Sequence, residues 1–89
     1  MFTQQMSSNE IAVLKSLFYR KKLEQEPLSE ISDIANVTGI RSNEEVQRAL
    51  YILEGKSLVT PEPAGDLTSS QWQITDVGQR AVDVIDGAA

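Results

Sequence analysis

The sequence predicts a small α+β domain with the element order helix, short strand, helix, helix, two-stranded hairpin, helix. Two Ser-x-x-Glu motifs, at residues 7–10 and 42–45, indicate helix starts. In such capping boxes the serine oxygen accepts a first-turn amide proton and the glutamate reaches back. Gly39 indicates a sharp turn between two helices, and residues 71–74 alternate polar and apolar side chains as a strand does.

Length and composition limit the possible classes of protein. With 89 residues, the chain has room for a single domain over 1–89, with flexible ends at 1–6 and 87–89. It has no cysteine and no histidine, which excludes disulfides, thiolate or imidazole metal sites, and nucleophile–histidine catalysis. We therefore expect no cofactor and no enzymatic activity. The beginning of the chain lacks a basic, apolar leader, so we expect a cytoplasmic protein without a membrane span.

The first helix should begin at the capping box of Ser7 and place one apolar stripe in the core. Met6 and Ile11 have the spacing of a hydrophobic staple. Pro27 should end the helix after its basic last turns. The stripe consists of Ile11, Leu14, Leu17 and Phe18.

The centre of the chain predicts a minimal strand at 26–28 and two helices joined by the turn at Gly39. Ser29 should cap the second helix, and Val37 and Ile40, on either side of the turn, should tuck inward. The inner face of the second helix is expected to carry Ile31, Ile34 and Ala35, and that of the third helix, 42–56, to carry Val46, Ala49, Leu50 and Leu53.

The last third of the chain predicts a hairpin from strands at 58–60 and 71–74, with an exposed, mobile loop at 61–70. Trp72 and Ile74 should face the core. Thr75 should cap the last helix. The apolar face of that helix is expected to consist of Val77, Ala81, Val84 and Ile85.

Three segments in this order resemble the winged-helix (winged helix-turn-helix) superfamily, including MarR-like and PadR-like prokaryotic transcriptional regulators. They are the helix-turn of residues 28–40, the helix exit from Leu50-x-x-Leu53-Glu54 to Leu58-Val59, and the joint Ile74-Thr75-x-x-Gly78. Ser57 is a departure, because these proteins commonly have glycine at that position. The exit from the third helix is therefore expected to differ.

The resemblance implies that helix 42–56 is a recognition helix that lies in the major groove of double-stranded DNA. Arg48 would then pair with guanine, Asn43 or Gln47 with adenine, and Glu44 with the amino group of cytosine. The implied base contacts are Asn43, Glu44, Gln47, Arg48 and Tyr51. The implied phosphate contacts are Arg20, Lys21, Lys22, Arg41 and Lys56.

Each of these assignments has an alternative. Arg48 stands four residues after Glu44 and is equally able to form a surface ion pair, and a basic run at 20–22 is often a solvated helix end. The net charge of the chain is −5. Residues 57–79, which contain the hairpin that forms the wing of this fold, carry Glu62, Asp66 and Asp76 but no basic side chain. This charge disfavours contact between the wing and DNA. The alternative function is a protein-interaction module with an acidic surface. The apolar positions of the first and last helices also allow a homodimer.

Overall fold

The computed structural model describes residues 6–24 and 28–87. Over these residues the protein is a small α+β domain with four helices and a three-stranded antiparallel sheet. The element order is the predicted one. The predictions for residues 1–5, 25–27 and 88–89, including the helix end at Pro27 and most of the flexible ends, lie outside the described residues. The elements are α1 (Ser8–Glu24), β1 (Ser29–Glu30), α2 (Ile31–Thr38), α3 (Asn43–Gly55), β2 (Val59–Pro61), β3 (Gln71–Ile74) and α4 (Asp76–Gly87).

The predicted helix starts are confirmed at three of four positions. At α1 the Glu10 amide donates to Ser7 Oγ over 3.2 Å, and the Ser7 amide donates to Glu10 Oε1 over 3.2 Å, which completes the capping box. Ser42 Oγ accepts from the third residue of α3, and Thr75 Oγ1 accepts from Gly78 in α4. The prediction that Ser29 caps α2 is wrong. Ser29 is a buried strand residue, and Glu30 stands at the cap position.

The sheet has the order β1-β3-β2, so β3 is the central strand. Ser29 of β1 lies opposite Trp72, and Val59 of β2 lies opposite Ile74. The Trp72 indole is fully buried, and its Nε1–H donates to the Ser69 carbonyl over 2.9 Å. That bond satisfies the one polar group of the indole inside the core and ties the hairpin loop to it.

The core lies between α1, α2, α3 and the sheet, and it contains all four apolar positions predicted for α3. In α1, Val13 is buried together with the predicted Leu14, Leu17 and Phe18, whereas the predicted Ile11 is only half-buried. Val37 does not tuck inward and is 72% exposed. The predicted face of α4 is correct in part, because Ala81 packs against the core and Ile85 is half-buried. Val77 and Val84 are 49% and 70% exposed, and Val82 is buried in their place.

Gly78 explains why α4 is rotated about its own axis relative to the predicted orientation. A Cβ atom at this position would collide with the backbone carbonyl oxygen of Leu58 and lie 2.6 Å from Ile74 Cγ1. The Thr75 amide donates to the same Leu58 oxygen over 3.0 Å, and Thr75 Oγ1 donates to the Ser57 carbonyl over 2.7 Å. The helix must therefore turn its Gly78 side towards β2. That rotation brings Val82, four residues later, into the core.

The exit from α3 is a Schellman motif with serine at the position that favours glycine. The Leu58 amide donates to the Leu53 carbonyl over 3.0 Å and the Ser57 amide to the Glu54 carbonyl over 2.9 Å. Ser57 adopts φ +66°, in the left-handed region. The chain thus makes a left-handed turn that glycine adopts without strain, and it does so with a residue that has a Cβ atom.

Replacement of Ser57 by glycine is expected to stabilise the domain. Removal of the Cβ atom relieves the strain of the left-handed conformation in the folded state. This gain outweighs the added conformational entropy of the unfolded chain, so the free energy of unfolding should rise by about 0.5–1 kcal/mol. Denaturant unfolding measures the change. Ser70→Gly is the matched control, because Ser70 has no positive φ, and its unfolding free energy should fall. A loss of stability in Ser57→Gly would contradict this account of the turn.

Gly78→Ala is expected to have the opposite effect, because the new methyl group meets the Leu58 backbone, which cannot rotate away. We expect a loss of about 2–3 kcal/mol in the free energy of unfolding, typical of overpacking against fixed atoms. Gly55→Ala is the control, since a Cβ atom there meets nothing within 4 Å and alanine favours a helix. The account fails if both alanine variants unfold at the same denaturant concentration.

Candidate nucleic-acid interface

The outer face of α3 carries all five predicted base-contact residues. Because Val46, Ala49, Leu50 and Leu53 occupy the inner face, the other positions turn outward. The exposed members are Asn43, Glu44, Arg48 and Tyr51, while Gln47 is half-buried. The Tyr51 ring lies 6.2 Å from that of Trp72, so its aromatic part rests beside the buried indole. The structure therefore brings the set together on one side of one helix.

Arg48 faces a groove between α3 and the beginning of α1. The groove has a volume of about 270 Å³. Within the described part of the chain Arg48 forms no ion pair, so the predicted alternative of a surface pair with Glu44 is not formed. The guanidinium is thus available to an acceptor from outside. The groove is lined by Ser7, Asn9, Glu10, Glu45, Arg48, Ala49 and Ile52.

Two of the predicted phosphate contacts flank α3. Arg41 is exposed and comes directly before the Ser42 cap, and Lys56 is half-buried and follows the last residue of the helix. From residue 41 to residue 56 the helical rise amounts to about 22 Å. These two cations therefore lie near opposite ends of the outer face and bracket the base-contact residues.

The other three predicted phosphate contacts lie at the far end of α1. Lys21 and Lys22 line a groove with Gln79 and Asp83 of α4, and Lys22 Nζ stands 5.3 Å from the centre of the Phe18 ring. Arg20 Nη1 lies 3.6 Å from Asp33 Oδ2. The α3 groove adjoins Asn9, about 18 Å from Lys21 along the axis of α1. The structure does not bring this basic run to the outer face of α3.

The hairpin loop is largely exposed over residues 62–70, as predicted, whereas Pro61, a predicted loop residue, is buried at the end of β2. The loop is closed by its own hydrogen bonds. Ser69 Oγ donates to the Glu62 carbonyl over 2.6 Å, and the Glu62 amide donates to the Gln71 carbonyl over 2.9 Å. Asp66 Oδ1 accepts from both the amide and the hydroxyl of Thr68, the latter over 2.6 Å. With Glu62 and Asp66 as its only charged residues, the loop presents negative charge to solvent.

A polar cluster joins α1 to the end of α4. Lys15 Nζ lies 2.8 Å from Asp86 Oδ1, and the Tyr19 hydroxyl donates to Asp86 Oδ2 over 2.8 Å. The hydrogen bond from Lys15, with that from Tyr19, lowers the pKa of Asp86. The hydrogen bonds to Asp86 raise the pKa of both Lys15 and Tyr19. This cluster holds the last turn of α4 against α1, and sequence reasoning missed it because its members are far apart in the chain.

The cluster predicts a pH-dependent effect of Asp86→Asn. Because the folded protein lowers the pKa of Asp86, its contribution to stability is present above the ordinary carboxyl range and is lost as pH falls through the folded pKa. The variant should melt below the wild type at pH 7, and the gap should close below about pH 4. Thermal melts from pH 7 to pH 2 measure this, with Asp83→Asn on the same helix as control. A gap that stays constant over that range would contradict the prediction.

A second surface feature that the sequence did not indicate is an apolar groove of about 210 Å³ between α1 and α2. Leu23 and Val37 stand at its edge, 74% and 72% exposed. It is lined by Ser16, Tyr19, Arg20, Leu23, Ser29, Asp33, Ile34 and Val37. This groove exposes apolar surface at a distance from the outer face of α3.

Neither a cluster of metal ligands nor a membrane-spanning helix is found in the described residues. No group of three or more acidic side chains there is placed to hold a metal ion. In residues 6–24 and 28–87, no helix combines the length and apolar character needed to cross a membrane. No protein-family model, curated protein or solved structure matches the chain. The function must therefore be inferred from the geometry of the domain itself.

Proposed function

We propose that the protein is a winged-helix domain that binds double-stranded DNA with α3 in the major groove, as a prokaryotic transcriptional regulator. The outer face of α3 is the observation that carries the proposal. It combines five side chains able to form hydrogen bonds, and Arg48 and Glu44 are not paired with each other. The element order and the sheet order β1-β3-β2, with the β2–β3 hairpin directly after α3, support the winged-helix assignment.

The dimensions and chemistry of α3 fit this role. An α-helix with its side chains is about 10–12 Å wide, close to the width of about 12 Å of the major groove. Arg48 offers the donors that guanine accepts, and Asn43 and Gln47 match adenine. Arg41 and Lys56, at the two ends of the helix, are suited to contact phosphates.

The acidic hairpin loop weakens the electrostatic attraction between the protein and DNA in the proposed binding mode. A loop with Glu62 and Asp66 is repelled by the DNA backbone, so phosphate contact falls to the cations around α3. Arg41 and Lys56 together would neutralise about two phosphates, which corresponds to a slope of about −2 in log K against log salt. Affinity for DNA of random sequence is accordingly low.

A second copy of the chain would double these contacts on a palindromic site. Val77 and Val84 leave an exposed apolar stripe on α4, with the half-buried Ala81 and Ile85 beside it. This stripe supports a homodimer that forms through α1 and α4. Sedimentation equilibrium at the concentrations used for DNA binding determines whether one or two copies bind.

The second candidate function is a protein-interaction module. The negative loop and the apolar α1–α2 groove favour it, because both are surfaces that DNA does not need and a protein partner can use. The two functions differ in their requirement for Arg48. DNA binding depends on the outer face of α3, whereas the alternative leaves that face without a role.

Arg48→Ala is expected to weaken binding to duplex DNA about 5- to 150-fold, because one bidentate base contact contributes about 1–3 kcal/mol. Fluorescence anisotropy at low salt measures this on a duplex selected from a randomised pool. Arg80→Ala is the control: it removes another exposed arginine, from α4, and the Kd should change less than about two-fold.

The double variant Lys21→Ala/Lys22→Ala tests the predicted phosphate contacts at the end of α1. A smaller slope of log K against log salt in this variant would indicate that Lys21 and Lys22 contact phosphates. An unchanged slope would indicate that they do not. Absence of any binding up to about 1 mM protein at low salt would refute the DNA proposal, since even non-specific complexes have Kd values of about 10⁻⁴–10⁻⁶ M.

A further inference from the structure

Glu44 and Arg48 occupy the same outward stripe of α3, one helical turn apart. Both are exposed, and within the described residues no ion pair joins them. Residues at this spacing are neighbours on a helix surface and pair readily when they carry opposite charge. The unpaired arrangement leaves a carboxylate and a guanidinium side by side, each free to bind a separate group.

The two side chains need opposite partners. An ionised carboxylate only accepts hydrogen bonds, and a guanidinium only donates them. Glu44 repels phosphates, and the donors in the major groove are the amino groups of cytosine and adenine. Arg48 is matched by guanine, which presents two acceptors, O6 and N7.

Of the two amino-bearing bases, cytosine suits Glu44 better. Adenine carries the N7 acceptor beside its amino group, and a carboxylate placed there meets a lone pair. Cytosine presents its N4 amino group without an acceptor of its own at that edge. Glutamate therefore favours cytosine, whereas glutamine, which both donates and accepts, pairs with N6 and N7 of adenine.

We propose that Glu44 and Arg48 are specificity-determining residues that together read a cytosine and a guanine on neighbouring base pairs. This inference rests on the proposed DNA-binding function. The spacing of four residues corresponds to about 6 Å along the helix. Successive base pairs are about 3.4 Å apart along the DNA axis, so a separation of about 6 Å places the two bases one to two steps apart.

The proposal is tested by selection from a randomised duplex pool with the wild type and with Glu44→Gln. The wild type should enrich cytosine and guanine one to two steps apart. The variant should keep the guanine and change the cytosine to adenine, with about a ten-fold reversal of preference between matched duplexes. Glu30→Gln is the control, because Glu30 is an exposed glutamate on β1, outside α3, and its motif should be that of the wild type.

Arg48→Ala provides an independent arm. It should lose the guanine preference and become insensitive to 7-deazaguanine, whereas the wild type should lose about ten-fold in affinity when that guanine lacks N7. A wild-type motif that persists in both variants overturns the base assignment and leaves DNA binding intact. Failure of the wild type to bind or enrich any duplex overturns this inference together with the proposed function.

Discussion

The contact of Gly78 with the Leu58 carbonyl is the constraint on which the second half of the structure depends. The Leu58 oxygen accepts the Thr75 amide, and Thr75 in turn caps α4 and donates to Ser57. One short stretch of backbone thus fixes the start of β2, the end of β3 and the first turn of α4. Only glycine permits this approach, because any Cβ atom would collide with that oxygen.

The same joint sets the orientation of α3 relative to the hairpin. The Schellman turn at Ser57 ends the helix and delivers Leu58 to the core, so β2 begins at once. With both ends of α3 fixed, at the Ser42 cap and at this turn, its four buried residues hold one face inward. The outer face is therefore presented by a rigid element, which is what the reading of base edges in the proposed function requires.

Local signals predicted most of the fold, and non-local contacts account for the errors. The caps at Ser7, Ser42 and Thr75 and the inner face of α3 depend on residues within a few positions of one another, and they are as predicted. The rotation of α4 depends on Leu58, twenty positions away in the chain, and periodicity alone chose Val84 over Val82. The five base-contact candidates were predictable because they are the complement of a well-specified core face.

The grouping of the cations was not predictable, because it depends on how α1 crosses α3. The sequence places Lys21 and Lys22 in one basic run, and the crossing leaves them at the end of α1 away from Arg48. In the proposed function this separation has a consequence for selectivity. Non-specific affinity scales with the number of neutralised phosphates, whereas discrimination between sequences comes from base contacts. A domain with an acidic loop and few phosphate contacts is expected to bind random DNA weakly. The base preferences proposed for Glu44 and Arg48 do not depend on those phosphate contacts. The ratio of specific to non-specific binding therefore rises.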